Sequence, residues 1–360
     1  MSSKKIIREE STIICNDGSW RYFNDQIGKV NPSKIFVLTD TETQKYCLPY
    51  FEAQTKILNK EVLTILHGET HKNIATCEKV WEDLSRLGAD RKSLLINLGG
   101  GVVTDLGGFV ACTYQRGISF INIPTSLLAM VDASVGGKNG VDLGNLKNQI
   151  GIIKEPEMVL IDTQFLNTLP QEHLRSGMAE MIKHGLIHSE EYLWESFGFS
   201  IENAMEAERL IWESIQIKNQ IVTEDPFENG LRKTLNYGHT LGHAIESYFL
   251  QNPIRKSLLH GEAIAVGMIL ATYLSSEMLS FPKEKLKRIS TQILRLFPKV
   301  SFSELEIQEI IKLLIFDKKN THGIVQFVLL NEIGHPKVNC TVKNDLIMDA
   351  FKFYQNSMAE

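Results

Sequence analysis

SLLINLGGGVVTDLGG, residues 93–108, reads as an apolar strand that runs into a glycine-rich turn and then into a helix. A turn of this kind brings backbone N–H groups, and the positive end of the helix dipole, close to a diphosphate. The spacing is not the GxGxxG dinucleotide fingerprint, and a tight turn with close helix packing would use the same glycines. Working outward, short β-branched runs recur on both sides: IFVLTD from Ile35, VLTILH from Val62, ISFINIPT from Ile118 and MVLID from Met158. Between them lie amphipathic stretches such as NIATCEKVWEDLSRLGA, with apolar residues at helical spacing. Strand alternating with helix predicts a mostly parallel, Rossmann-like sheet covered by helices. Asp40 ends one strand, and Glu69 and Lys72 follow the next. Each is ordinary alone, but they recur at strand carboxyl ends, the usual ligand edge of an α/β sheet.

From Leu169-Pro170 the texture changes. HLRSGMAEMIKHGLI, AERLIWESIQIKNQIV, GEAIAVGMILATYLSSEM and NDLIMDAFKFY all carry helical periodicity, and IVQFVLL reads as one arm of a hairpin near the end. The expected architecture is an α/β nucleotide-binding domain over residues 1–168 and a mainly helical metal- and substrate-binding domain over 169–360, with the active site in the cleft between them.

Composition narrows the function classes. With 360 residues, 43% hydrophobic, 22% charged and a formal charge of −5, the chain reads as a soluble globular protein. It has no general affinity for nucleic acid or an anionic membrane. Neither a signal peptide nor a membrane-spanning run is evident. Five scattered cysteines without CxxC spacing fit a reduced, cytoplasmic protein.

Two blocks in the helical half point to a metal. GMAEMIKHG puts Glu180 and Lys183 on one helix face, and LRKTLNYGHTLGHAIE puts His239 and His243 one turn apart. Gly238 and Gly242 precede those histidines within a helical pattern, where each glycine costs about 1 kcal/mol against alanine. That cost implies a need for close backbone approach. LLHGEAIAVGM then sets His260 at the start of another helix. One carboxylate and two imidazoles with a fourth position open suit a catalytic zinc, although an HxxxH pair alone is more often two polar helix residues. Basic residues also recur in the motif-like blocks of this net-negative chain. Lys138 lies in VDASVGGKNG and Lys147-Asn148 in GNLKNQIG, both read as glycine-punctuated loops, with Arg116, Lys183, Lys218, Arg232 and Lys318 elsewhere. Gathered together they would suit a small substrate carrying more than one negative charge.

Taken in order, GGGVVTDLGGFVA, RGISFINIPTSLLAMVDASVGGKNGVD, KNQIG, GMAEMIKHG, LNYGHTLGHAIE and HGEA resemble the 3-dehydroquinate synthase family, within the wider sugar phosphate cyclases. The resemblance runs from about Asp40 to Val328. It implies an NAD site at Asp40, Glu69, Lys72, Gly100, Gly101, Asp105, Thr125, Ser126, Phe165, Thr168 and Leu169, with Lys138 and Lys147 adjoining the cofactor. It implies zinc, with cobalt able to substitute, on Glu180, His239 and His260, leaving His243 as a non-ligand that assists phosphate and proton transfer. Lys138, Asn148, Asn236, His243 and Lys318 (or its neighbour Lys319) are implied for the substrate phosphate. Lys218 and Arg232 are implied for the carboxylate, and Asp132, Lys147 and Lys183 for the ring and hydroxyls. Arg116 would enter the phosphate pocket of a neighbouring subunit, so a homodimer is expected. His67, Glu42 and Cys112 depart from the commonest family pattern.

The implied reaction is redox-neutral: a phosphorylated keto-acid sugar is transiently oxidised by NAD, loses phosphate, is re-reduced and closes into a carbocycle. Three rivals share features of the sequence. A sister cyclase would take another sugar phosphate, a metal-dependent alcohol dehydrogenase would accumulate NADH, and a non-catalytic descendant would bind metal without turnover.

Overall fold

The computed structural model describes residues 4–9, 11–16, 18–144, 146–314 and 325–358. Lys318 and Lys319 lie outside them. The chain divides into two compact units, Met1–Pro170 with Ser200–Asn219, and Gln171–Phe199 with Gln220–Glu360.

Among the described residues the first unit holds nine strands. These are β1 (Lys4–Ile7), β2 (Thr12–Cys15), β3 (Ile35–Asp40), β4 (Glu61–Ile65), β5 (Leu94–Gly99), β6 (Ser119–Pro124), β7 (Lys138–Leu143), β8 (Leu146–Ile153) and β9 (Met158–Ile161). Seven form one sheet in the order β1-β2-β9-β6-β5-β3-β4, parallel throughout except for β1 against β2. Every residue of β5 is buried, as a central parallel strand covered on both faces requires. Helices α1 (Ser19–Val30), α2 (Thr41–Tyr46), α3 (Leu48–Gln54), α4 (Ile74–Arg86) and α5 (Gly101–Thr113) accompany the sheet.

The glycines of residues 99–108 divide between two tasks. Gly99 ends β5 and Gly100 makes the turn, capping α5, which Gly101 opens. Gly107 and Gly108 lie inside α5, where a Cβ would stand 2.0 Å from Asn97 Oδ1 and 1.9 Å from Asn139 Oδ1 respectively. Those two therefore serve close packing of α5 on β5 and β7.

Two parts of this unit differ from the sequence reading. Lys138, Lys147 and Asn148, expected in loops, lie on the antiparallel hairpin β7–β8, in which Gly140 pairs with Gly151. The paired glycines hid the strand pattern, because a Cβ on Gly140 would stand 2.6 Å from Ile150 O across the ladder. The first unit also takes in a stretch from the helical half. Glu208 pairs with Lys4 at 3.0 Å and accepts from Asn16 Nδ2 at 2.6 Å, and Asn219 Oδ1 accepts from Arg8 Nε at 2.7 Å. Lys4 lies in β1, and Arg8 and Asn16 directly follow β1 and β2, strands of four residues each that are too short to show a clear alternation.

The second unit is built on α6 (Gln171–His188), α7 (Glu190–Ser196), α9 (His239–Gln251), α10 (His260–Leu279), α11 (Lys283–Leu296), α12 (Glu304–Leu313) and α13 (Asn344–Asn356). Helix α8 (Ala204–Glu224) precedes α9 in the chain, and β10 (Phe327–Glu332) and β11 (His335–Cys340) form the expected terminal hairpin. By length and composition α10 could cross a membrane, which the sequence reading did not anticipate, but 72% of its apolar window is buried inside the protein. Small residues let its neighbours approach closely. A Cβ on Gly261 would lie 2.1 Å from Ser176 O of α6, and one on Gly267 would lie 2.1 Å from Gly238 O. Gly238 itself is not inside a helix: it caps α9 with φ 76°, a left-handed conformation that glycine adopts without strain.

Candidate active site

At the carboxyl edge of the parallel sheet, five residues expected at the cofactor or substrate meet in one polar network. Lys72, buried, donates through Nζ to Asp105 Oδ2 and to Asn148 Oδ1, both at 2.6 Å. Lys147 Nζ donates to Glu69 Oε1 at 2.7 Å. Asp142, which the sequence reading did not single out, joins the two halves. Its Oδ1 accepts from Asn148 N–H at 2.7 Å, its Oδ2 lies 3.6 Å from Lys147 Nζ, and its own N–H donates to Lys72 O at 2.9 Å. Burial alone would pull the Lys72 ammonium down, but Asp105, Glu69 and Asp142 outweigh it and hold the group above its ordinary value. Asn148, implied for the substrate phosphate, thus stands beside residues implied for the cofactor. It does so in a left-handed conformation, φ 51°.

Nearby on this edge, Asp40 ends β3 and caps α2, accepting from Glu42 N–H at 3.0 Å and Thr43 N–H at 2.8 Å. Its other oxygen lies 3.4 Å from His67 Nδ1. Gly100 and Gly101 face Ser126 and Ala133, and Thr125 N–H donates to Gly99 O at 3.0 Å. Phe165, Thr168 and Leu169 fall on the short helix Thr163–Thr168 and its cap, with the Phe165 ring 5.1 Å from Tyr50. Open backbone, oriented N–H groups and paired charges at strand ends are the kind of surface a dinucleotide requires.

In the second unit, α6, α9 and α10 bring Glu180, His239 and His260 together. Glu180 is fully buried; its Oε2 pairs with the Lys183 ammonium one turn on, and its Oε1 lies 3.3 Å from His239 Nε2 and 3.6 Å from His260 Nε2. His239 Nδ1 stands 3.0 Å from Tyr237 O, and His260 Nδ1 stands 3.1 Å from Glu246 Oε2. A carbonyl and a carboxylate only accept, so each ring carries its proton on Nδ1 and turns Nε2 inward. Among the described residues no donor meets Glu180 Oε1 in good hydrogen-bond geometry. Two ring nitrogens around a buried carboxylate oxygen want a cation between them, and this donor set fits a zinc-like metal. Burial opposes charging His260, but Glu246 and Glu180 overcome it and push the group up to about 10. Burial pulls His239 down. For Glu180 burial works the other way, and Lys183 and His239 hold it well below the usual carboxylate range. The His243 ring lies 5.1 Å from His239 and 5.7 Å from His260, so a third imidazole adjoins the cluster.

The remaining substrate candidates are spread over both units. In the first, Lys218 Nζ donates to Asp132 Oδ1 at 2.6 Å, pairing a residue that the resemblance implies for the carboxylate with one it implies for the ring and hydroxyls. Lys138 is exposed at the start of β7. Arg116 is exposed, with φ 71° following Gln115 at φ 48°. In the second unit, Arg232 is buried and donates through Nη1 to Pro226 O at 2.6 Å. The acid of the preceding loop, Asp225, takes the backbone N–H of Arg232 at 3.0 Å together with those of Asn229 and Gly230. Asn236 Nδ2 donates to Glu228 Oε1 at 2.5 Å. Glu228 and Glu246 went unremarked in the sequence, although Glu246 stands seven residues after His239 on the same helical face.

Comparison with known proteins points to one family. Residues 62–176 match the family model for the 3-dehydroquinate synthase N-terminal region, and residues 177–320 match that for its C-terminal region. A 3-dehydroquinate synthase of Parabacteroides distasonis is 40% identical over 97% of this chain and 99% of its own. Another, from Campylobacter jejuni subsp. doylei, is 34% identical over 94% and 98%. Among solved structures, a 2-deoxy-scyllo-inosose synthase complexed with carbaglucose-6-phosphate, NAD+ and Co2+ superposes with a TM-score of 0.82. It is 25% identical and covers 98% of this chain and 99% of its own. The 2-epi-5-epi-valiolone synthase of Streptomyces hygroscopicus, with NAD+ and Zn2+ bound, has a TM-score of 0.83 at 24% identity over 97% and 98%, and shares the fold. With both halves of the family model matched and a relative alike over nearly its whole length, the chain belongs to the 3-dehydroquinate synthase family.

Proposed function

We infer that the chain converts 3-deoxy-D-arabino-heptulosonate 7-phosphate into 3-dehydroquinate and inorganic phosphate, a step toward chorismate and the aromatic amino acids. The observation that carries this reading is the convergence of Glu180 Oε1, His239 Nε2 and His260 Nε2 in a chain 40% identical to a 3-dehydroquinate synthase over 97% of its length. When bound, a zinc or cobalt ion on these three residues supplies Lewis acidity, and NAD at the carboxyl edge of the sheet supplies a hydride acceptor that is restored within one turnover.

The protein's own groups hold charge and position. Lys183 balances Glu180, so the site presents a donor set of low net charge. His243, beside both imidazoles, is the group to hold and pass a proton during phosphate departure. Lys138, Asn148, Asn236 and Lys318 are assigned to the phosphate, Arg232 and Lys218 to the carboxylate, and Asp132, Lys147 and Lys183 to the ring hydroxyls. The reading requires Arg116 to complete the phosphate pocket of a second copy in a homodimer. Five free cysteines, all buried, suit a cytoplasmic enzyme.

The test is phosphate release from the heptulosonate phosphate, with NAD and metal omitted in turn. Release that needs both, with no net NADH, is expected. Net NADH would indicate a dehydrogenase, and equal release from sedoheptulose 7-phosphate a sister cyclase.

A further inference from the structure

We propose that Glu246 is a positioning residue for the metal centre: its carboxylate fixes the His260 ring so that Nε2 faces the position shared with Glu180 and His239. The proposal rests on the metal reading above and extends it to a residue outside the three ligands.

His239, His243 and Glu246 stand at i, i+4 and i+7 along α9 and therefore share a face. Glu246 is 8% exposed, and its Oε2 lies 3.1 Å from His260 Nδ1. The two imidazole ligands are oriented by different means. The oxygen behind His239 is the Tyr237 carbonyl, two residues before it in the chain. His260 opens α10, with Leu259 extended just before it, and the acceptor behind it comes from another helix. A carbonyl is a neutral acceptor fixed by the backbone. A carboxylate holds the Nδ1 proton more firmly and makes Nε2 a stronger electron donor. The His260 side chain keeps 26% of its exposure, against 9% for His239. It is the less confined of the two rings, and the one whose orientation depends more on its partner.

The test compares the full chain with Glu246→Ala and Glu246→Gln, using the metal alone as probe, without substrate or NAD. Zinc affinity is read by competition with a chelator, and coordination by the visible spectrum of the cobalt-loaded protein. Glu246→Ala should bind zinc about 10–100-fold more weakly, the loss typical when an outer partner of a ligand is removed. Its cobalt spectrum should change. Glu246→Gln, which keeps an acceptor of the same shape, should fall between, and activity lost in either variant should return as metal is raised. Parent-like zinc affinity and an unchanged cobalt spectrum in both variants would overturn the role while leaving the metal reading standing. A parent chain that takes up no metal would overturn both. If Glu246→Ala fails to fold, the isosteric Gln variant decides the matter on the same two readouts.

Discussion

Glu180 has one oxygen on a buried ammonium and the other facing two imidazoles, so its removal leaves Lys183 without that counter-charge and His239 and His260 without the carboxylate oxygen they share. Glu180→Ala is expected to lose bound zinc and nearly all turnover, whereas His243→Ala keeps zinc and loses turnover. Elemental analysis of dialysed protein checks this, and stoichiometric zinc in Glu180→Ala would contradict it. Arg232 poses a separate question, because its guanidinium is buried and part of it ties down the Pro226 carbonyl. If it also grips the substrate carboxylate, Arg232→Ala should lower kcat/KM by the roughly 2–5 kcal/mol of a truncated, desolvated charge pair. That is on the order of 30- to several-thousand-fold. A purely structural role predicts instead a lower melting temperature with unchanged kcat/KM for the folded fraction.

The elements that carry the metal residues owe their positions to close backbone approach. Helix α10 meets α6 at Gly261 and the start of α9 at Gly267, and Ser176 Oγ accepts from Gly261 N–H at 2.9 Å. Gly261→Ala would drive a methyl group into Ser176 backbone, at 2.1 Å from its carbonyl oxygen, which cannot swing aside as a flexible side chain would. A loss of about 1–3 kcal/mol is expected from such overpacking, with weaker metal binding because His260 and Glu180 move apart. Gly28→Ala is the counterpart: it lies in α1 with nothing within 4 Å of the added methyl, and should gain about 0.5–1 kcal/mol. Thermal unfolding and metal titration of the two variants test the pair. Equal stability changes would sink the close-approach argument.

For the whole molecule, the expected homodimer makes its own prediction. Arg116 is exposed on a turn with two successive left-handed residues, Gln115 and Arg116. Such conformations cost on the order of 1–3 kcal/mol each and concentrate where a side chain must be aimed. If Arg116 serves the neighbouring copy, mixing inactive Arg116→Ala with inactive Lys138→Ala under subunit exchange should restore part of the activity. No recovery in verified heterodimers would confine Arg116 to its own subunit. Much of the molecule was legible in the sequence. Helical and strand periodicity, set by which side chains face inward, marked β3, β4, β5, β6 and β9 and the long helices. The glycine turn after β5 and the i, i+4 histidines were likewise readable, because they are local patterns. The hairpin β7–β8 was not, since its paired glycines interrupt the alternation that marks a strand. Nor could spacing show that Asn148 would sit on Lys72, 76 residues away, or that Glu246 would stand behind His260. Those contacts depend on strand order and on how closely helices cross, which long-range packing decides. The sequence by itself determined the elements and the candidate chemical groups; tertiary structure decided which of those groups share a hydrogen bond.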